Sequence, residues 1–240
     1  STNQLSAFKK LFTRRLSREP LQYILGDTEF MGLPLAVDRR ALIPRPETEL
    51  LVAEVVALAR EATSGVRRVL DIGTGSGNIA LALAVHLPEC SVDAVDISPD
   101  ALALAGENVR RHHLEDRVRL LELDILREGH RLEHGVYDVI VANPPYVSSA
   151  EYELLEPEIR EFEPSLATTD HGDGLSFFRA IAALGPDLLR PGGSVFVEHA
   201  YDQSKAVALL FENARYEGLR TVRDYGGILR IVQARLPVRR

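Results

Sequence analysis

Val69-Leu70-Asp71-Ile72-Gly73-Thr74-Gly75-Ser76-Gly77 carries a short run of strand character into a turn in which every second position is glycine. Between a strand and a helix such a turn lets a ligand approach the backbone closely, because glycine has no Cβ to stand in the way. The spacing is Gly-x-Gly-x-Gly with an aspartate at its head, not the Gly-x-Gly-x-x-Gly of dinucleotide-binding turns. Outward from this turn, strand-like runs at 68–71, 91–97, 118–124, 137–143 and 194–199 alternate with helical segments at 78–87, 99–112, 152–162 and 175–189. That rhythm predicts an α/β chain whose parallel sheet is covered on both faces. A helix at 203–214 then leads into two β-rich runs, 219–225 and 228–235, separated by Gly226-Gly227. The sheet is expected to end in a hairpin containing one antiparallel strand.

At 240 residues and 45% hydrophobic, the chain can bury a full core in one domain of ordinary size with a small appendage. Phe8, Leu11, Phe12 and Leu16 fall on one helical face, and the runs 23–30 and 33–37 flank Met31-Gly32 like a small hairpin. Residues 1–40 are therefore read as a helix-and-hairpin appendage and 41–240 as the catalytic domain. That domain opens with Leu42-Ile43-Pro44-Arg45-Pro46-Glu47-Thr48-Glu49, where Pro46 suits a helix start and the carboxylates of Glu47 and Glu49 suit its dipole. No apolar stretch reaches the ~20 residues that span a bilayer, and the first residues lack the layout of a signal peptide, so a cytoplasmic location without membrane contact is expected.

The balance of 28 basic and 35 acidic residues gives a net charge of −7, which opposes nonspecific binding to a phosphate backbone. No direct DNA binding is expected, and the basic run Lys9, Lys10, Arg14, Arg15 and Arg18 reads as a solvated helix face. Cys90 stands alone and reads as a small interior residue. His112 and His113 point to different helix faces and have no carboxylate companion, so no metal is expected.

Asp71, Asp96 and Asp124 close three successive strand-like runs, where open parallel sheets bind ligands. Each can equally be a helix cap. Jointly they favour S-adenosylmethionine, a cationic ligand without phosphate: Asp71 for its α-ammonium, Asp96 for both ribose hydroxyls and Asp124 for the adenine amino group. The candidate cofactor set is Asp71, Gly73, Thr74, Gly75, Gly77, Asp96, Ile97, Asp124 and Asn143. NAD is the runner-up, with the missing glycine at the dinucleotide spacing against it.

Asn143-Pro144-Pro145-Tyr146 follows the apolar run 139–142. A planar NH2 group needs two acceptors for its hydrogens and a surface to lie against. The Asn143 side-chain oxygen, the Pro144 carbonyl and the Tyr146 ring supply them, while Pro145 brings no amide hydrogen to claim that carbonyl. These four residues form the candidate substrate site, with Asn143, Pro144 and Tyr146 as the catalytic set, and the reading is methyl transfer to a planar nitrogen. An ordinary strand-ending turn is the plain alternative.

With these residues in place the chain resembles the HemK/PrmC family of class I S-adenosylmethionine-dependent methyltransferases. The matching stretches are 19–26, 42–49, 70–77, 95–98, 143–147, Glu163-Pro164, 172–175 and 191–193, so the likeness runs from about residue 18 to the C-terminus. It implies a Rossmann-like, mostly parallel seven-stranded sheet with a C-terminal antiparallel strand, preceded by a short helix and β-hairpin. It also implies methyl transfer to the side-chain amide nitrogen (N5) of the glutamine in the Gly-Gly-Gln motif of peptide chain release factors, which are the expected protein partners. Two other readings are ribosomal-protein glutamine methyltransferases, which usually differ over 43–49, and nucleic-acid exocyclic-amine N-methyltransferases, which need a target-recognition region and a basic groove. A noncatalytic cofactor-binding module is opposed by the presence of Asp71, Asp96 and Asn143 together. The chain departs from the family twice: a short basic helix alone precedes Pro20 where several helices are usual, and Glu198-His199-Ala200-Tyr201-Asp202-Gln203 replaces a Glu-Ile-Gly before the glutamine. His199 is expected in the core.

Overall fold

In the computed structural model, which describes residues 2–62 and 65–238, a helix α1 (Thr2–Leu16) and a helical turn α2 (Leu21–Leu25) precede a hairpin of β1 (Asp27–Phe30) and β2 (Leu33–Ala36). The chain continues through α3 (Pro46–Glu61), β3 (Arg68–Ile72), α4 (Asn78–His86), β4 (Ser91–Asp96), α5 (Pro99–Arg111), β5 (Val118–Glu122), α6 (Ile125–Glu128) and β6 (Tyr137–Ala142). It ends with α7 (Ser149–Tyr152), α8 (Pro157–Arg160), α9 (Ser176–Leu188), β7 (Leu189–Glu198), α10 (Ser204–Asn213), β8 (Glu217–Arg223) and β9 (Leu229–Arg235).

The seven-stranded sheet has the order β5-β4-β3-β6-β7-β9-β8, parallel from β5 through β7, with β9 antiparallel to both of its neighbours. The antiparallel strand is the C-terminal one, as expected, but it lies one place in from the edge. Period-2 alternation places Val69, Val139 and Val141 on one face of the sheet and Leu70, Ile140 and Ala142 on the other. The first face packs Leu51, Val52 and Val55 of α3 and Ile79–Leu83 of α4; the second packs Phe178 and Ile181 of α9 and Val207 and Phe211 of α10. Both sides being covered explains why these strands read as continuous apolar runs. Each fully buried large side chain stabilises the fold by about 1.5–3 kcal/mol.

Three local expectations change. The helix expected at 152–162 is two separate turns, because Pro157 drives Glu156 out of helical geometry (φ −55°, ψ 142°). Residues 23–25 belong to α2, which Gly26 terminates in the left-handed region at φ 84°, so β1 begins only at Asp27. Strand β7 starts at Leu189, ahead of Ser194, and runs through Pro191-Gly192-Gly193 with a register shift against β6.

Candidate active site

The chain steps outward from β3 to β4 and β5, then returns to place β6 on the other side of β3. This reversal opens a crevice at the carboxyl ends of β3 and β6. Ile72 pairs with Ala142, so Gly73 and Asn143 emerge side by side. The turn after β3 is held from β4: the amides of Gly73 and Thr74 donate to the Val95 carbonyl at 2.9 and 3.0 Å. Gly77 sits at φ 82°, a conformation that favours glycine, and a Cβ there would also crowd Leu81 Cδ1 at 2.6 Å and Ala105 Cβ at 3.3 Å. A cleft of about 390 Å³ lies over the turn, walled also by Ile97, Ser98, Asp124, Leu126, Asn143, Pro144, Pro145 and residues 40–45.

The three aspartates have different surroundings. Asp96 lies in the cleft wall, its Oδ2 accepting from the Gly75 amide at 2.8 Å and its Oδ1 from the Ser98 amide at 2.9 Å. A carboxylate has about four lone-pair sites, so each oxygen keeps one for a further donor. Burial raises the Asp96 pKa from its ordinary value, against the backbone amides that lower it. Asp124 caps α6 through Oδ1, which accepts from the Leu126 amide at 2.9 Å, and its Oδ2 is 3.5 Å from Arg127. Here the capping reading and a place on the cleft wall hold together.

Asp71 is fully buried beneath the turn, behind the cleft walls. Its Oδ2 accepts from the Thr74 hydroxyl at 2.6 Å, while Oδ1 has no hydrogen-bond partner among the described residues. Burial pushes this carboxyl up to about 7, the nearby Asp96 charge adding and the Thr74 hydroxyl opposing. Gly77 likewise lies behind the turn as the N-cap of α4, whereas Gly73, Thr74, Gly75 and Ile97 line the cleft.

Asn143 follows the last residue of β6, and its side-chain Nδ2 donates to Thr48 Oγ1 at 2.9 Å. Thr48 Oγ1 in turn donates to Glu198 Oε2 at 2.7 Å. The carbonyl half of the Asn143 amide and the Pro144 carbonyl accept no hydrogen bond among the described residues. Pro144 and Pro145 are themselves buried in the cleft wall. Tyr146 stands behind that wall, partly buried against the second core face. Its carbonyl accepts from Gln203 Nε2 at 2.8 Å, and Gly174, at φ 79°, has no room for a Cβ against the same carbonyl. The loop that follows β6 is therefore pinned from α9 and α10.

Residues without a role in the sequence reading complete the site. Arg45 reaches both oxygens of Glu163 at 2.7 and 2.9 Å, and this ion pair closes the side of the cleft formed by residues 40–45. Asn108 is fully buried on α5; it accepts from the Ala36 amide at 2.7 Å and donates to the Ala36 and Ser76 carbonyls at 3.0 and 2.9 Å. One side chain thus ties the N-terminal hairpin to the glycine turn. An asparagine inside an amphipathic helix gives no sign of this in sequence; the pairing of Thr48 with Glu198, 150 residues apart, gives none either. His199 is fully buried, as expected of a core histidine, and burial lowers its pKa. Cys90 is buried too, and among the described residues no group of histidine, cysteine and acidic side chains is arranged to hold a metal.

The donors and acceptors fit S-adenosylmethionine: a diol for the free lone pairs of Asp96 and a backbone open to close approach at Gly73. Residues 47–163 match the family described as the methyltransferase small domain, and residues 1–26 match the PrmC N-terminal domain. The release factor glutamine methyltransferase of Geobacter sulfurreducens is 43% identical over 233 residues, which span 97% of this chain and 79% of that one. A solved protein-(glutamine-N5) methyltransferase (release factor-specific) from Alicyclobacillus acidocaldarius is 32% identical, with a TM-score of 0.50 over 81% of this chain and 94% of that one. A methyltransferase from Pyrococcus furiosus shares the fold over 99% of this chain and 100% of its own, with a TM-score of 0.62 at 16% identity.

Proposed function

The chain belongs to the family of the release factor glutamine methyltransferases, and from that premise we propose that it transfers a methyl group from S-adenosyl-L-methionine to the side-chain amide nitrogen (N5) of the glutamine in the Gly-Gly-Gln motif of a peptide chain release factor. One observation supports this reading above the others. Beside the glycine turn, Asn143 has its amino half engaged by Thr48, so its carbonyl oxygen and that of Pro144 are the acceptors left for a planar NH2 group.

The cofactor, when bound, supplies an electrophilic methyl group. Asp96 would hold the ribose hydroxyls, Gly73, Thr74 and Gly75 would admit the ligand to the backbone, and Ile97 and Asp124 would line the adenosine end. Asp71 acts from beneath, ordering the turn through Thr74. A carboxamide nitrogen is a poor nucleophile because its lone pair is delocalised; rotation about a peptide C–N bond costs about 18–20 kcal/mol. Acceptors on both N–H bonds turn or pyramidalise that nitrogen and stabilise the positive charge that develops on it. Asn143 Oδ1 and the Pro144 carbonyl accept those hydrogens, and Tyr146, behind the cleft wall, backs the loop that carries them. Fixing the orientation of the substrate nitrogen would supply much of the rate. The proton of the methylated nitrogen would then pass to water.

Residues 1–40 serve on this reading as the appendage that docks the protein substrate and 41–240 as the catalytic unit. The site of action is the cytoplasm, where release factors work; among the described residues no helix is long and apolar enough to cross a membrane. Incubation with labelled cofactor and a release factor, followed by mass spectrometry, should place one methyl group on the glutamine of the Gly-Gly-Gln motif. Label found only on a ribosomal protein or on nucleic acid would overturn the assignment.

A further inference from the structure

We propose that Thr48 and Glu198 are positioning residues that set the sense of the Asn143 side-chain amide, the Glu198 carboxylate forcing Asn143 to present its oxygen to the substrate. The proposal rests on the methyl-transfer reading above and adds to it the device that gives Asn143 its polarity.

An asparagine amide is nearly symmetric in shape. Turned by half a rotation it would offer an NH2 group to the substrate amine, and two donors facing each other cannot bond. Something must therefore choose between the two orientations. Thr48 Oγ1 accepts from Asn143 Nδ2 at 2.9 Å, and the Glu198 carboxylate behind it also draws on the Asn143 side-chain amide. A hydroxyl has one hydrogen and can both donate and accept, so by itself it accommodates either end of the amide. Glu198 removes that ambiguity.

Glu198 is 2% exposed, at the end of β7, with Oε2 2.7 Å from Thr48 Oγ1. An ionised carboxylate has no hydrogen to give, so the Thr48 hydroxyl must spend its one hydrogen on Glu198. Its oxygen can then only accept, and the group able to donate to it is Asn143 Nδ2. The oxygen Oδ1 is left as the free end. Were Glu198 protonated, it could donate to Thr48, whose hydrogen would become available to Asn143 Oδ1, and the amide would be free to reverse. A single proton on Glu198 would thus release the constraint that keeps an acceptor facing the substrate.

The surroundings place this proton within reach of ordinary pH. Glu47 and Thr48 face Glu198 from α3, Asn143 and Tyr146 from the loop after β6, and Arg230 from β9. Burial pushes the Glu198 carboxyl up to about 7, Glu47 adding to the rise, while Thr48, Arg230 and Asn143 hold it down. No hydrogen bond from an arginine or lysine satisfies it among the described residues.

The test is a single-turnover rate on release factor at saturating cofactor, with melting temperature and cofactor affinity measured on the same proteins. Thr48→Val keeps the shape and removes the relay; its rate should fall about 10- to 100-fold with cofactor affinity retained, whereas Thr48→Ser should restore most of the rate. In an Asn143→Ala background Thr48→Val should cost nothing further, because residues that act through one another are not additive. The wild-type rate should fall as pH drops through about 7. Glu198→Gln, which can accept from or donate to Thr48, should lose that dependence and stay below the rate of the ionised wild type. If Thr48→Val does not fold, the Thr48→Ser and Glu198→Gln profiles decide. A wild-type pH dependence that survives in Glu198→Gln, or full additivity of Thr48→Val with Asn143→Ala, would overturn the proposal. These outcomes are read on an enzyme that methylates the glutamine; a wild-type protein that does not methylate it refutes the underlying activity instead.

Discussion

At the scale of single residues, Asn143 and Asp96 divide the work between reaction and cofactor. Asn143 Oδ1 meets the substrate amide, so Asn143→Ala should lower kcat by roughly 10² to 10³, the effect of removing one preorganised polar group at a reacting centre, with S-adenosylmethionine affinity nearly intact. A turn-forming asparagine would behave differently: melting temperature and both binding events would fall together while the single-turnover rate of the folded protein held. Asp96→Ala should weaken the cofactor by about 1.5 to 3 kcal/mol, the range for hydrogen bonds to a charged group. Calorimetry measures it, and an unchanged affinity would remove Asp96 from the cofactor site. Its two backbone bonds, to Gly75 and Ser98, mean that the same carboxylate also shapes the turn it shares with the ligand.

At the scale of elements, the site depends on how the hairpin, the glycine turn and α5 are joined. Asn108 makes that joint, with three hydrogen bonds in a fully buried setting. Asn108→Ala would leave the Ala36 amide without its acceptor, at a cost of about 1–3 kcal/mol for a buried unsatisfied group. Thermal unfolding should show the loss, together with weaker cofactor binding, because Ser76 belongs to the turn. A variant that melts like the parent would mean the hairpin is held by Phe30 and Leu35 in the core rather than by this side chain. Helix α1 stands in contrast: no residue of it is buried, and Phe8, Phe12 and Leu16 are all more than half exposed. Its residues attach it through ion pairs, Arg14 to Glu19 and Arg15 to Glu158 on α8, and Arg18, just past its end, also pairs with Glu158.

At the scale of the whole molecule, buried acids set the dependence of stability on pH. Asp71 and Glu198 are pushed up to about 7, and Asp96 and Glu163 are raised as well, each first by burial. A carboxyl whose pKa is higher folded than unfolded binds more protons in the folded state, so its contribution is full below the unfolded value near 4 and is lost as pH rises through the folded one. His199, which burial favours in its neutral form, acts in the opposite sense below about pH 6.5, against Asp71 and Glu198 with values of about 7 in the same range. The cofactor-free protein should therefore melt at a higher temperature at pH 5.5 than at pH 8, and Glu198→Gln should narrow the difference. A melting temperature that rises steadily from pH 5.5 to pH 8 would show that these carboxyls are ionised in the folded protein without penalty.

Much of this architecture is local and therefore legible in the sequence. The alternation of Val139 and Val141 with Ile140 and Ala142, the glycines that need positive φ, and the Asp-Gly spacing follow from side-chain period and backbone sterics, which each short stretch carries within itself. The two prolines after Asn143 likewise announce a carbonyl that no amide hydrogen claims. What only the tertiary structure decided is which polar groups meet. Asp71 and Asp96 look alike as acids at strand ends, yet one is sealed under the turn and the other faces the cleft, because depth is set by how α4 and α5 close over the sheet. Thr48, Asn143 and Glu198 come from three distant segments, and only the packing of α3 across the ends of β6 and β7 brings them within hydrogen-bond distance. Hydrogen bonding between side chains depends on distance and direction in space, and separation along the chain encodes neither.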